Sequence, residues 1–218
     1  MTTRLVGALI MTHGDDSGLI LPPNVAPWQV VIVPIPRGNW RDTVLPTCEA
    51  IRSQLLAAGI RVKIDADESQ TPGWKFAEYE MRGVPLRLEI GPKDIEKNAV
   101  FAARRDTRQK QSLPMDGLPE RIHELLAEIQ KSLLAKARAF REDHTSRAGS
   151  YDEFKQVMEG RPGFVIAPWC ESPQCEAEIK AETQATIRNI PLDQGSPTEP
   201  CIKCGKPATV YAWFAKAY

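Results

Sequence analysis

Four of the five cysteines form two pairs in the C-terminal third of the chain. Four residues separate Cys170 from Cys175, two separate Cys201 from Cys204, and 25 residues lie between the pairs. Both spacings are typical of a tetrahedral zinc site with four sulfur ligands. Because no secretion signal is visible, we expect reduced thiols that hold zinc. The alternatives are two reduced pairs without metal, or disulfides formed during handling.

A zinc ion with four thiolate ligands has no open position for water, so we expect a structural role rather than catalysis. Such an ion would tie two distant segments together where the apolar core is thin. Gly205, directly after the second pair, suits a tight turn that aims backbone amides at the sulfurs. The fifth cysteine, Cys48, lies on the apolar stripe of a predicted helix, where we expect it to pack in the core.

The composition is that of a soluble globular protein, with 42% hydrophobic and 26% charged residues in 218 positions. No apolar run reaches the length of about 18 residues that a membrane span needs. The formal net charge is zero, which excludes a polybasic protein. One window is locally basic, and it is either a solvated face or a local nucleic-acid surface. Its cations are Arg82, Arg87, Lys93, Lys97, Arg104, Arg105, Arg108 and Lys110.

The elements that must position these side chains begin with a small N-terminal hairpin. Residues 4–11 are strand-like, residues 14–18 predict a turn, and residues 19–21 predict a short second strand. Prolines 22, 23 and 27 follow as a stiff exit. A hairpin of this size cannot fold alone, so we expect it to be the end of something larger.

A mixed α/β domain follows. Residues 30–35 predict a strand buried on both faces, residues 42–58 an amphipathic helix, and residues 60–64 a second strand in a parallel crossover. The further predicted elements are a short helix at 76–82 and strands at 86–90 and 99–104.

The last part of the chain predicts a long amphipathic helix and then a small α/β unit that contains the cysteines. The helix covers residues 118–141, and the later elements are a helix at 151–160 and strands at 164–167 and 208–215. The predicted domains are 1–27, 28–115 and 116–218. The predicted class is α/β, with a mixed-sheet domain joined by the long helix to a small zinc-binding domain.

Several stretches resemble prolyl-tRNA synthetases, which are class II aminoacyl-tRNA synthetases. Residues 3–16, TRLVGALIMTHGDD, resemble the third class II motif in the form seen in that family. GWKF at 73–76, RGVPLR at 82–87 and EIGPKD at 89–94 resemble its anticodon-binding domain. The four-cysteine unit and the ending WFAKAY resemble the zinc-containing C-terminal domain of the eukaryote- and archaeon-like branch.

The resemblance implies a proline–tRNA ligase and assigns Arg4 to the ATP contact of the third motif. ATP and Mg²⁺ are implied only for the full enzyme, because the first two class II motifs are absent from the 218 residues. We therefore expect a C-terminal portion of the enzyme that does not aminoacylate tRNA by itself. The resemblance also implies that the C-terminal Tyr218 reaches toward the active site of the full enzyme.

Four side chains match positions that the family uses to recognise the anticodon: Phe76, Glu80, Arg87 and Lys93. Every proline anticodon ends in two guanines, and guanine offers donors on its Watson–Crick edge and acceptors on its Hoogsteen side. A carboxylate suits the donors, Arg or Lys suits the acceptors, and Phe76 could stack on an unstacked base. The alternatives are that Phe76 belongs to the core and that Glu80 pairs with Arg87 on the surface.

Arg104, Arg105 and Arg108 are predicted to contact phosphates, which fixes register without reading sequence. The partners that the resemblance implies are proline tRNA, the rest of the catalytic domain and, in the full enzyme, a second copy. The implied location is the cytoplasm, with no membrane involvement. The competing hypothesis is a free-standing interaction protein with a synthetase-derived fold and no tRNA specificity.

Overall fold

The structure is a computed structural model that describes residues 2–160 and 163–216. The chain separates into two compact units, one ending at Leu134 and one beginning at Ala135. Both units are mixed α/β, which confirms the predicted class. Among the described residues, no helix combines the length and the apolar character that crossing a bilayer requires.

The N-terminal segment is a helix followed by a minimal hairpin. Helix α1 covers Arg4–His13, and strands β1 (Gly14–Asp15) and β2 (Gly18–Leu19) form the antiparallel pair. The strand predicted over residues 4–11 is therefore wrong. No residue of α1 is buried, and no described strand pairs with it. Without a neighbouring strand, a helix is the conformation in which this segment can satisfy its own backbone groups.

The first unit contains the predicted parallel crossover. Strand β3 (Val30–Pro34) is buried along its whole length. Helices α2 (Trp40–Thr43) and α3 (Leu45–Ala57) lead to β4 (Val62–Ile64), which pairs with β3 in parallel. This confirms the strand–helix–strand prediction, with the predicted helix divided at Val44.

The sheet is completed on the other side of β3. Helix α4 (Pro72–Met81) leads to β5 (Leu86–Ile90), which is parallel to β3, and the short helix α5 (Pro92–Glu96) leads to β6 (Ala99–Arg104). Strand β7 (Lys110–Pro114) is the antiparallel edge. The order in the sheet is β4-β3-β5-β6-β7.

The two faces of this sheet have different covers. Helix α3 and the first half of α6 (Leu118–Asp143) pack on one face, through residues such as Leu55 and Ile122. On the other face, Tyr79 of α4 packs on Val31 and Val33 of β3. Strand β5 serves both faces because its side chains alternate. Its three aliphatic side chains face α3 and α6, which leaves Arg87 and Glu89 on the side of α4.

The second unit is built on a four-stranded sheet in the order β10-β11-β9-β8. Its core contains Phe154 and Phe214, whose rings meet edge to face at 5.2 Å between centroids. Its elements are β8 (Thr145–Arg147), α7 (Tyr151–Glu159), β9 (Phe164–Trp169), α8 (Pro173–Thr183), β10 (Ala185–Asn189) and β11 (Val210–Lys216).

Candidate metal centre and candidate nucleic-acid interface

The four paired cysteines lie together in the second unit. The sulfur atoms of Cys170, Cys175, Cys201 and Cys204 are all within 4.8 Å of one another. Cys170 Sγ is 3.7 Å from Cys175 Sγ and 3.7 Å from Cys204 Sγ. A tetrahedron with zinc–sulfur bonds of about 2.3 Å has edges of about 3.8 Å. The cluster therefore could hold a metal ion.

Two turns of the same design place the sulfurs. Cys170 directly follows β9, and the next residue, Glu171, has a left-handed φ of 57°. Gly205 has a φ of 71° after Cys204. In each turn the backbone amide two positions on donates to the sulfur, Ser172 to Cys170 and Lys206 to Cys204. Such amides favour the thiolate form, which is the form that binds metal.

The surroundings act differently on individual thiols. The Lys206 amide lowers the pKa of Cys204 to about 7. Burial raises the pKa of Cys175 to about 12. Cys175 lies in the first turn of α8. Cys48 is fully buried on α3, which confirms its prediction as a core residue.

Lys203 fixes the loop between Cys201 and Cys204 to the helices of the second unit. Its Nζ pairs with Glu182 at 2.5 Å and lies 4.4 Å from the centre of the Tyr151 ring. The Tyr151 hydroxyl donates to Glu182 at 2.8 Å. Glu182 thus receives both a charged and a neutral donor, and the loop is held by contacts that need no metal.

The first unit has a cleft of about 350 Å³ between α4 and the strands β5 and β6. Three of the four predicted anticodon-binding residues line it: Phe76, Glu80 and Arg87. Thr71 begins α4 by accepting the amide of Trp74, and Phe76 and Glu80 follow one turn apart on the face toward the cleft. The fourth residue, Lys93, is exposed on α5 and does not line the cleft.

Arg87 is held at the floor of the cleft. Its guanidinium carbon lies 4.1 Å from the centre of the Phe76 ring. Its Nε and Nη2 both donate to Glu89 Oε1, at 3.0 and 2.8 Å. The alternative that Arg87 pairs with Glu80 is therefore wrong. The alternative that Phe76 is core holds in part, because the half-buried ring packs on the cluster around Tyr79.

Glu80 is the carboxylate of the cleft, and its pairing is weak. The nearest cation is Arg108, whose Nε is 3.8 Å from Glu80 Oε1. Arg108 stands in a left-handed turn with φ 59°, and Lys110 follows at the start of β7, exposed and lining the cleft. Sequence reasoning did not single out Lys110, although it lies in the basic window.

Arg104 is buried among carboxylates rather than presented to solvent. It donates to Asp106 through two parallel bonds of 3.0 and 2.9 Å and to Glu128 of α6 at 2.6 Å. These hydrogen bonds, that of Asp106 first, hold the pKa of Arg104 well above its ordinary value. Its geometry gives no support to a phosphate contact, because three of its five N–H donors are used within the protein and the residue is buried.

Arg105 is likewise buried, with 4% of its surface exposed. Its guanidinium forms two bonds to Asp15 of the hairpin and a third to the backbone carbonyl of Glu80. Arg104 and Arg105 both line the cleft, but both are buried, so this geometry also gives no support to a phosphate contact. Of the three predicted phosphate contacts, Arg108 is the exposed one.

The N-terminal segment around Arg4 and the C-terminus contribute little to the described site. Arg4 is exposed at the start of α1. Arg4 does not line the cleft between α4, β5 and β6. Tyr218 lies outside the described residues.

Comparison with known proteins agrees with this arrangement. Residues 29–125 match the family model "Anticodon binding domain", and residues 151–218 match "Prolyl-tRNA synthetase, C-terminal". This chain matches the C-terminal part of a prolyl-tRNA synthetase. The two matches coincide with the unit that contains the cleft and the unit that contains the cysteine cluster.

Relatives that carry the name proline–tRNA ligase extend the match across the whole chain. This chain is 50% identical to a "Proline–tRNA ligase" of Lachnospira eligens over 217 residues and 50% identical to one of Clostridium novyi over 218 residues. It is 49% identical to that of Ruminiclostridium cellulolyticum. Each alignment covers 100% of this chain and 45% of the relative. The chain thus spans less than half the length of the curated relatives it matches.

Proposed function

We propose that this chain binds proline tRNA by reading the two guanines of its anticodon in the cleft between α4, β5 and β6. The observation that carries the proposal is the convergence of Phe76, Glu80 and Arg87 on one open cleft within a domain matched as anticodon-binding. An aromatic ring, a carboxylate and a guanidinium are the groups that unstacked guanine needs for stacking and for hydrogen bonding on both edges.

Each side chain has a separate part in this proposal. Glu80 accepts from the Watson–Crick edge of one guanine, and its weak pairing with Arg108 leaves it available. Arg87 donates to a guanine acceptor through Nη1, which makes only a long bond of 3.4 Å to the Phe76 carbonyl. The base stacks against the Phe76–Arg87 pair, which adds a cation–π contribution to the contact.

The phosphate contacts are assigned to the exposed cations. Arg108 and Lys110 lie beside the cleft and are both exposed, so they suit the backbone of the anticodon loop. Lys93 is retained as an outlying anticodon contact, because α5 presents it to solvent. Arg104 and Arg105 are removed from the proposed interface, since burial commits both guanidinium groups to internal carboxylates.

We further propose that the cysteine cluster holds a structural Zn²⁺ ion. Four sulfurs within bonding range of a single ion and the donated amides support zinc over oxygen-preferring metals. We also propose the wider activity of the full enzyme, which is the ligation of proline to its tRNA in the cytoplasm. The full enzyme would act as a homodimer that uses ATP and Mg²⁺, and Arg4 would contact the ATP. The relatives named above carry the ligase name, and this chain contributes tRNA recognition to that reaction.

A binding titration at fixed salt tests the proposal. The 218-residue chain is titrated with proline tRNA and with a variant in which both anticodon guanines are adenines. We expect a loss on the order of tenfold or more per guanine, because Glu80 and Arg87 lose their partners. Equal binding to both would overturn guanine reading and favour an interaction protein without tRNA specificity.

A further inference from the structure

The hairpin at residues 14–19 is packed directly against the end of α4, the helix that bears Phe76 and Glu80. Gly18 has a φ of 123°, and a Cβ there would lie 2.4 Å from Met81 Cα. Gly83 has a φ of 73°, and a Cβ there would lie 2.7 Å from Leu19 Cβ. Two glycines thus allow contact between the two backbones, and no side chain can separate them.

A buried guanidinium joins the same two elements. Arg105 Nη1 and Nη2 donate to the two carboxylate oxygens of Asp15, at 3.0 and 2.6 Å. Its Nε donates to the backbone carbonyl of Glu80 at 2.8 Å. The side chain is 3% exposed. One planar group therefore fixes the distance between the hairpin and the backbone of the residue whose carboxylate faces the cleft.

Asp15 also controls the cation nearest to Glu80. Arg108 Nη2 donates to Asp15 Oδ2 at 3.3 Å and to Ser17 Oγ at 2.8 Å. With that end anchored, Arg108 Nε stays 3.8 Å from Glu80 Oε1, beyond hydrogen-bond length. The hairpin thereby keeps Arg108 beside Glu80 without letting it neutralise the carboxylate by a close pair.

We infer that Asp15 and Arg105 are positioning residues for anticodon reading, which act through Glu80 rather than on the RNA. The inference rests on the proposed function, because it assigns to the hairpin a part in the specificity of the same cleft. Asp15 holds Arg105 and Arg108, Arg105 holds the Glu80 backbone, and Glu80 meets the guanine. The hairpin is then a component of the recognition site, although none of its side chains lines the cleft.

The test measures discrimination rather than affinity alone. Asp15→Asn keeps the shape of the side chain and removes the charge that holds both arginines. We expect the ratio of affinities for proline tRNA and its guanine-to-adenine variant to fall about tenfold. The matched control is Asp16→Asn, which makes the same charge change at an exposed neighbour and should leave the ratio unchanged. Circular dichroism and the thermal midpoint report whether each variant is folded.

A double-mutant cycle with Glu80→Gln separates positioning from general stabilisation. If Asp15 acts through Glu80, the loss of discrimination in the double variant equals that of Glu80→Gln alone. Additive losses, or an equal weakening of both tRNAs by Asp15→Asn, would overturn the inference. If Asp15→Asn does not fold, Arg105→Lys takes its place, because an ammonium keeps the charge but lacks the fork that bonds Asp15 and the Glu80 carbonyl together.

The two proposals fail in different ways. A wild-type chain that does not discriminate between the tRNAs removes the proposed function and the inference with it. A wild-type chain that discriminates, with Asp15→Asn and Arg105→Lys discriminating equally well, removes only the role of the hairpin.

Discussion

Arg87 lies over Phe76, with its guanidinium carbon 4.1 Å from the ring centre, while two of its nitrogens bond Glu89. A strand residue and a helix residue are thereby fixed as one unit between the sheet and α4. In the proposed complex with tRNA, Arg87 would have little freedom to lose, since its side chain is already ordered. Preorganisation of this kind favours specificity, because a guanidinium held in one position cannot move to meet a wrong base.

Replacing Arg87 with Ala should weaken binding to proline tRNA by about 1–3 kcal/mol and relax discrimination between guanine and adenine. The reason is that the variant loses both the donor and the stacking pair. Filter binding at fixed salt against proline tRNA and an unrelated tRNA checks this. Arg82→Ala is the control, since Arg82 is an exposed arginine directly after the end of α4. Equal losses for both tRNAs would mean that Arg87 touches only phosphates.

Replacing Arg104 with Ala should destabilise the first unit by about 3 kcal/mol, because Asp106 would be left buried without its cation. Urea unfolding gives the value. The exposed pair of Arg41 and Glu68 provides the control, and Arg41→Ala should not change stability measurably. The dependence of tRNA affinity on salt should stay as in the wild type for Arg104→Ala. A shallower salt dependence in a folded variant would restore Arg104 as a phosphate contact.

Metal analysis of the purified chain should find one zinc per molecule. Cys201→Ser should lose it, because three thiolates and a hydroxyl no longer match the preference of zinc for sulfur. Cys48→Ala is the control and should keep full zinc content, since Cys48 lies in the core of the other unit. Chelation should lower the thermal midpoint of the C-terminal unit. An unchanged melt after verified metal removal would contradict a structural zinc.

Acidification should destabilise the first unit through Asp15. The hydrogen bond from Arg105 holds the pKa of Asp15 well below its ordinary value. Its folded pKa is thus lower than its unfolded pKa, so its contribution is complete above pH about 4 and is lost as pH falls toward the folded pKa. Thermal midpoints between pH 6 and pH 2 should fall less steeply for Asp15→Asn than for the wild type. Parallel curves would show that the pair adds no stability.

Much of the fold follows from local patterns in the sequence. The uninterrupted apolar run of β3 predicts a strand covered on both faces, and α3 and α4 provide those covers. Strand β7 was not predicted, because an edge strand with one buried residue has no apolar alternation. Helix α8 was not predicted for a similar reason, since it presents only three buried residues to the core.

The candidate site, like the fold, has parts that the sequence predicts and parts that only the structure reveals. Spacing singles out the four cysteines, the resemblance to prolyl-tRNA synthetases singles out Phe76, Glu80 and Arg87, and the structure brings each set together. The sequence cannot show that Arg104 and Arg105 turn inward. That outcome depends on Asp15 and Glu128, which only the fold brings near, and on Asp106, which lies beside them in sequence but whose pairing with Arg104 depends on burial. The basic window therefore contains more cations than the surface exposes.

The two cysteine pairs are 25 residues apart, and the segment between them includes most of α8, all of β10 and the exposed stretch around Leu192. An ion that binds both pairs closes this segment into a loop. Much of its effect would then fall on the unfolded chain, whose conformational freedom the closed loop reduces. Lengthening the stretch from 190 to 200 should change stability only slightly, because the entropy of closure grows with the logarithm of loop length.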